Sequence, residues 1–346
     1  MHDQLTLLRP DDWHLHLRDG EALRAVLPHT ARQFRRAVVM PNLKPPVTTT
    51  ALAADYRERI LAARPQGSDF EPLMTLYLTD RTPPEEIDRA CDSGIVIGCK
   101  LYPAGATTHS DAGVTDIRRI DAVLARLAER ELPLQIHGEV TADEIDVFDR
   151  EREFIERTLQ PLVLRHPRLR VIFEHITTAA AVEFVRTGRD GIAATITPQH
   201  LLYNRNEMFR GGIRPHFYCL PVLKTEPDRQ ALLEAATSGN PRFFLGTDSA
   251  PHERHTKEAS CGCAGIYSAH AALELYAEAF ERMGRLDRLE AFASLHGADF
   301  YRLPRNTTTV TLRRTSWQVP QAYAFGAGTV VPMRAGETLS WQLVEP

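Results

Sequence analysis

A chain of 346 residues, 43% hydrophobic and 25% charged, has ordinary globular composition and enough apolar material for a sizeable core. Its net charge of -4 leaves no basic excess to neutralise phosphates, which argues against a general nucleic-acid binder or a protein drawn to acidic membranes. No run of eighteen or more apolar residues reads as a transmembrane helix, and MHDQLTLLRPDDWH lacks the charged-then-apolar layout of a signal peptide. Five cysteines without paired spacing fit free thiols in a reducing compartment, so a soluble, cytoplasmic protein is expected.

Along the chain, a short apolar, β-branched run is followed by a helical pattern, again and again. Strands are predicted at 13–17, 36–40, 73–79, 95–101, 133–137, 170–176, 191–197 and 242–248. Most are near-continuous apolar runs, as expected of parallel strands covered on both faces. Helices are predicted at 50–64, 116–130, 226–237, 267–283 and 287–298. In 116–130, Ile117, Ile120, Val123, Leu124 and Leu127 recur at helical spacing among charges, giving one face to a sheet. This alternation predicts an α/β fold, a (β/α)8 TIM-type barrel, with a doubly wound open sheet as the rival. Residues 304–346 lose the helical pattern and read as a C-terminal extension packed on the barrel. The whole of 1–346 is therefore expected to be one barrel domain.

The functional signal is where polar residues fall on these strands. Residues two apart share a face, so His14, His16 and Arg18 point one way and Leu15 and Leu17 the other. An imidazole pair at a strand end is a two-point metal grip. Fourteen histidines in 346 residues make about half a His-x-His pair expected by chance, so the pair alone is weak. Lys100, His137, His175 and Asp248 sit near four other strand ends, which a barrel would gather on one face. Singly, each has a structural explanation: a lone His satisfies its hydrogen bonds and Asp248 caps a turn. Lys100 either pairs with a carboxylate or snorkels, or its amine adds CO2 to become an anionic ligand.

Taken together, DWHLHLRDG (12–20), MPNLKPPVTT (40–49), GCKLYPAGATTHSDAGV (98–114), IHGE (136–139), FEHITT (173–178), FLGTDSAPH (244–252) and KEASCGCAG (257–265) resemble the amidohydrolase superfamily. Within it the chain is similar to the short, barrel-only bacterial dihydroorotase family, over nearly its whole length. That resemblance implies two Zn2+ per subunit, one held by His14, His16, Lys100 and Asp248, the other by Lys100, His137 and His175. Lys100 would carry a CO2-derived carbamate, and a bridging hydroxide would be the nucleophile with Asp248 as general base, then acid. The implied reaction is the reversible cyclisation of N-carbamoyl-L-aspartate to L-dihydroorotate in pyrimidine (UMP) biosynthesis. Arg18, Asn42 and His252 would hold the substrate carboxylate, the backbone at Leu220 and Ala264 would read the ring amides, and a homodimer is implied.

By the same resemblance, the small, polar stretch 103–114 is a lid in which Thr107 and Thr108 close over substrate. An ordinary surface loop is the alternative, just as Asn42 reads equally as a turn residue and His252 as a solvent-facing one. Cys261 and Cys263 lack a second thiol pair and read as loop structure, not a metal site. Hydantoinases and allantoinases are the nearest rivals, but they wrap a β-sandwich around the barrel, for which few residues precede His14. A catalytically dead scaffold barrel is expected to have lost ligands, whereas this chain carries the full set.

Overall fold

The computed structural model describes residues 3–260 and 262–344. A short strand, β1 (Gln4–Leu8), precedes eight parallel strands: β2 (Asp12–Leu15), β3 (Arg36–Val39), β4 (Glu71–Tyr77), β5 (Val96–Leu101), β6 (Leu134–Ile136), β7 (Val171–Phe173), β8 (Ile192–Ile196) and β9 (Phe243–Leu245). The eight pair in sequence order from β2 to β9. Backbone hydrogen bonds from Asp248 N–H to the His14 carbonyl (2.9 Å) and from His16 N–H to the Ser249 carbonyl (3.1 Å) join the last strand's end to the first. The result is the expected barrel, not the open sheet.

Helices over Thr50–Ala63 and Glu226–Thr237 match their predicted ranges closely. The second is fixed at its start by a capping box, in which Thr225 and Asp228 satisfy each other's backbone N–H groups. The predicted helix at 267–283 is a turn followed by Ala272–Arg282. That at 287–298 is broken into short turns before His296–Tyr301. Within 304–346, β10 (Thr309–Arg313) lies antiparallel between β1 and a two-residue strand, Gln342–Leu343. β1 has no counterpart among the predicted strands, because its exposed, weakly alternating residues depend on β10 for their pairing.

The predicted strand ends shift in one important way. β2, β6, β7 and β9 stop before the reactive residues, so His16, His137, His175 and Asp248 stand on the loops that leave the strands. Arg18 is also beyond β2, with φ at 60°, so strict strand alternation does not place it. The register is irregular between Asp12 and Leu15, which further breaks the simple two-residue period.

Below the reactive end, the barrel holds an apolar plug built from Trp13, Val38, Leu73, Ile172 and Phe244. Trp13 stacks on Tyr301 with ring centroids 4.7 Å apart, which ties the plug to the helix closing the barrel's opposite end. Gly297 on that helix lies so close that an added Cβ would be 2.0 Å from Trp13 Nε1. Gly297→Ala is therefore expected to reduce unfolding free energy by about 2 kcal/mol through overpacking. A denaturant melt with an unchanged midpoint would contradict this packing.

Candidate metal centre and active site

All of the predicted metal-type residues converge. His14, His16, Lys100, His137 and His175 are buried, as is Asp248. The ring centroids of His14 and His175 are 4.9 Å apart, as are those of His137 and His175. Single ligand atoms from His14, His16 and Asp248 lie within 4.8 Å of one another.

The hydrogen bonds assign the imidazole faces. His14 Nδ1 is 2.7 Å from Glu174 Oε2, and His16 Nδ1 is 2.9 Å from Asn42 Oδ1. Both oxygens accept, so both Nδ1 atoms carry the proton. Burial pushes His16 below its ordinary pKa and His14 and His175 far below it, which keeps these rings neutral. Each Nε2 then presents a lone pair to Asp248 Oδ1, at 3.4 Å from His14 and 3.1 Å from His16. Acceptors facing one another at that range repel unless a cation lies among them. His14 Nε2, His175 Nδ1 and Lys100 Nζ are also buried without a hydrogen-bond partner. Neutral imidazoles around a carboxylate are the donor set that suits a divalent metal such as zinc, so the residues present fit one.

Lys100 is fully buried at the end of β5 and makes no ion pair or hydrogen bond; its Nζ sits 5.0 Å from the Tyr102 ring centre. The carboxylate-paired alternative for this residue is not what forms. Burial lowers the amine to about 8, so roughly a tenth of it is the neutral nucleophile at pH 7, far more than for an exposed lysine. Asp248 is the opposite case: burial alone would raise it, but its charged surroundings, the Lys100 ammonium among them, hold it at about 2, an ionised carboxylate.

The four histidines and Asp248 line a cavity of about 20 Å³, together with Arg18, Asn42, Thr107, Thr108, Leu220 and Ala264. That volume suits a water-sized occupant and no pyrimidine ring. Larger clefts of about 540 and 740 Å³ open elsewhere on the surface, but neither contains a histidine. Chemistry, not size, selects the small cavity. Its roof is the 103–114 loop: Thr108 Oγ1 accepts from the Ala264 N–H (3.2 Å), and Asn42 Nδ2 donates to the Thr108 carbonyl (3.3 Å).

His252 is buried, not one of several solvent-facing histidines. Its Nε2 lies 2.9 Å from Arg18 Nη2 and 3.0 Å from the Ala264 carbonyl oxygen, between the guanidinium and the Ala264 backbone. Cys263 is a free thiol, and Cys261 lies outside the described residues.

A sequence profile described as the Amidohydrolase family matches residues 12–312. A dihydroorotase of Laribacter hongkongensis is 68% identical over 340 residues, covering 98% of this chain and 99% of that one. The crystal structure of dihydroorotase from Campylobacter jejuni superposes with a TM-score of 0.90 at 36% identity, covering 99% of this chain and 98% of the other. That of the Saccharomyces cerevisiae dihydroorotase in complex with 5-fluoroorotic acid gives 0.91 at 31%, covering 99% of both. The chain belongs to the amidohydrolase family, among the dihydroorotases.

Set against that family site, several supporting residues escaped the sequence reading. Glu174 Oε2 accepts from His14 Nδ1 and from Thr195 Oγ1 (2.6 Å), and Thr195 Oγ1 accepts from the His175 N–H (2.7 Å). Asp12 accepts from the Thr247 N–H (2.9 Å) and hydroxyl (2.6 Å), beside Asp248. Burial pushes both carboxyls up to about 7. The available signal was an acid inside an apolar strand run, Glu174 after Val171-Ile172-Phe173, which is costly without a partner. Imidazoles that hold a metal need such carboxylates to orient them. Glu174→Gln is expected to weaken metal binding about tenfold in a chelator competition; unchanged affinity would remove Glu174 from this role.

Proposed function

We propose that this site performs the reversible, water-forming cyclisation of N-carbamoyl-L-aspartate to L-dihydroorotate, within pyrimidine synthesis. The observation that carries the reading is one cavity lined by both the histidine–aspartate cluster and the Arg18 guanidinium. The reading takes the chain as a single barrel domain with 304–346 as its C-terminal extension.

His14, His16, Asp248 and Lys100 would hold one zinc ion, and Lys100, His137 and His175 the second, with Lys100 as a carbamate. When bound, the pair supplies a Lewis acid for the ring carbonyl and a source of hydroxide at neutral pH. The partnerless, partly neutral Lys100 amine supports the carbamate, because adding CO2 turns an uncompensated buried cation into an anion.

Asp248, held as an ionised carboxylate, is the general base. In ring opening it takes the proton of the attacking water and passes it to the departing ring nitrogen; closure reverses the transfer. Arg18 binds the substrate carboxylate with its planar fork, with Asn42 and His252 beside it. The similar yeast enzyme's complex with 5-fluoroorotic acid, a carboxylated pyrimidine ring, supports a carboxylate partner here. Leu220 and Ala264 offer backbone groups to the ring amides. Thr107 and Thr108 close over the substrate and exclude water. A cavity of about 20 Å³ supports a closed lid that must open for entry.

No helix among the described residues is long and apolar enough to cross a membrane. The four cysteines among the described residues are free thiols, which fits the reducing cytoplasm, and a homodimer is proposed from family kinship.

Purified protein should consume dihydroorotate in an ultraviolet assay, and Lys100→Ala should lose at least 100-fold of that activity along with bound metal. No turnover by fully metal-loaded protein would overturn the substrate assignment. Thr107→Ala combined with Thr108→Ala should lower kcat on the order of 100-fold at normal metal content. Normal turnover in that variant would show that the loop is not a catalytic lid.

A further inference from the structure

Lys257 ends the short helix Arg254–Lys257 and is buried at 4% exposure. No carboxylate among the described residues pairs with it. Instead its Nζ donates to three backbone carbonyls: Tyr218 (2.9 Å), Cys263 (2.9 Å) and Gly265 (2.5 Å). An ammonium has three protons, so every donor is used. Burying a charge against neutral carbonyls alone is an expensive way to fill space, and an apolar side chain would fill it more cheaply. What the charge accomplishes is to order a piece of backbone.

The ordered piece matters because of what it flanks. Cys263 and Gly265 stand on either side of Ala264, and Tyr218 is two residues before Leu220. A trans peptide is planar, with its C=O and N–H pointing in opposite directions. Holding the Cys263 carbonyl on Lys257 therefore aims the Ala264 N–H away from Lys257, toward the cavity, where Thr108 Oγ1 of the lid accepts from it at 3.2 Å. The Gly265 N–H also donates to the Tyr218 carbonyl (3.0 Å), so one ammonium ties the Ala264 loop and the Leu220 loop together.

We propose that Lys257 is a positioning residue: by gripping the carbonyls around Ala264 it aims the Ala264 peptide at the lid and the substrate ring, without touching substrate or metal. This rests on the roles given above to Ala264, Leu220 and Thr108.

The test uses metal-loaded protein carrying Lys257→Met, which keeps the stem and removes the donors. Metal content stays at the wild-type level, and kcat/KM for dihydroorotate falls about 100-fold. Thr108→Ala then costs much less in the Lys257→Met background than alone, because the lid's dock is already misaimed. A purely structural lysine gives additive losses, and additivity or an unchanged kcat/KM overturns the proposal. Amide exchange at Ala264, read by mass spectrometry without substrate, separates this inference from the substrate assignment. It is about tenfold faster in Lys257→Met whatever ring the protein acts on, and unchanged exchange overturns the proposal. Should Lys257→Met not fold, Lys257→Gln, with two donors on a shorter stem, takes its place. Failure of both to fold assigns Lys257 to folding alone and overturns it too.

Discussion

Two backbone hydrogen bonds at the seam between β9 and β2 hold the barrel closed, and the reactive centre is built directly on them. The Asp248 N–H bonds the His14 carbonyl and the His16 N–H bonds the Ser249 carbonyl. The residues that close the barrel are thus the ones whose side chains form the cluster of His14, His16 and Asp248. Asp12 and Thr247 reinforce the same seam with two more hydrogen bonds. Any loosening of the closure moves Asp248 relative to His14 and His16, so fold stability and site geometry are coupled here.

Several residues around the cavity sit in backbone conformations that side-chain-bearing residues seldom adopt. Arg18, His109, His175 and Asp248 all have positive φ, at 60°, 61°, 40° and 45°. Such conformations carry strain and persist only when surrounding contacts impose them. The contacts are visible. The seam bonds fix Asp248, the Thr195 hydroxyl fixes the His175 N–H, and Tyr56 donates to the Arg18 carbonyl. The left-handed turns bring side chains from the strand ends inward over the barrel mouth, where regular strands would send alternate ones outward.

Electrostatically the centre is an assembly of groups forced out of their ordinary states by burial. Imidazoles are held neutral, Lys100 is drawn toward neutrality, Glu174 is pushed upward, and Asp248 alone is held strongly ionised. A bound metal would resolve these tensions at once, since it needs neutral imidazoles and anionic oxygens. Recognition of the substrate is kept apart from this chemistry. In the proposed function it rests on Arg18 and on backbone from loops that Lys257 ties together, below the 103–114 loop, which leaves space only for something the size of water.

The sequence by itself determined the barrel and most of its reactive set. Eight apolar runs alternating with helical patterns leave few ways to bury both faces of a parallel sheet, and the strand-end His, Lys and Asp residues stood out against those runs. It did not determine strand β1, because that pairing joins residues near position 6 to residues near 311 and has no local pattern. Nor did local periodicity place Arg18, whose position depends on a positive-φ turn past the strand, or reveal that His252 is buried. Glu174, Asp12 and Lys257 acquire their meaning only from partners far along the chain: Thr195, Thr247, and the carbonyls around Ala264 and at Tyr218. Those partnerships form only when the chain closes on itself, because each buried charge then has to take whichever hydrogen-bonding groups the closed fold brings beside it.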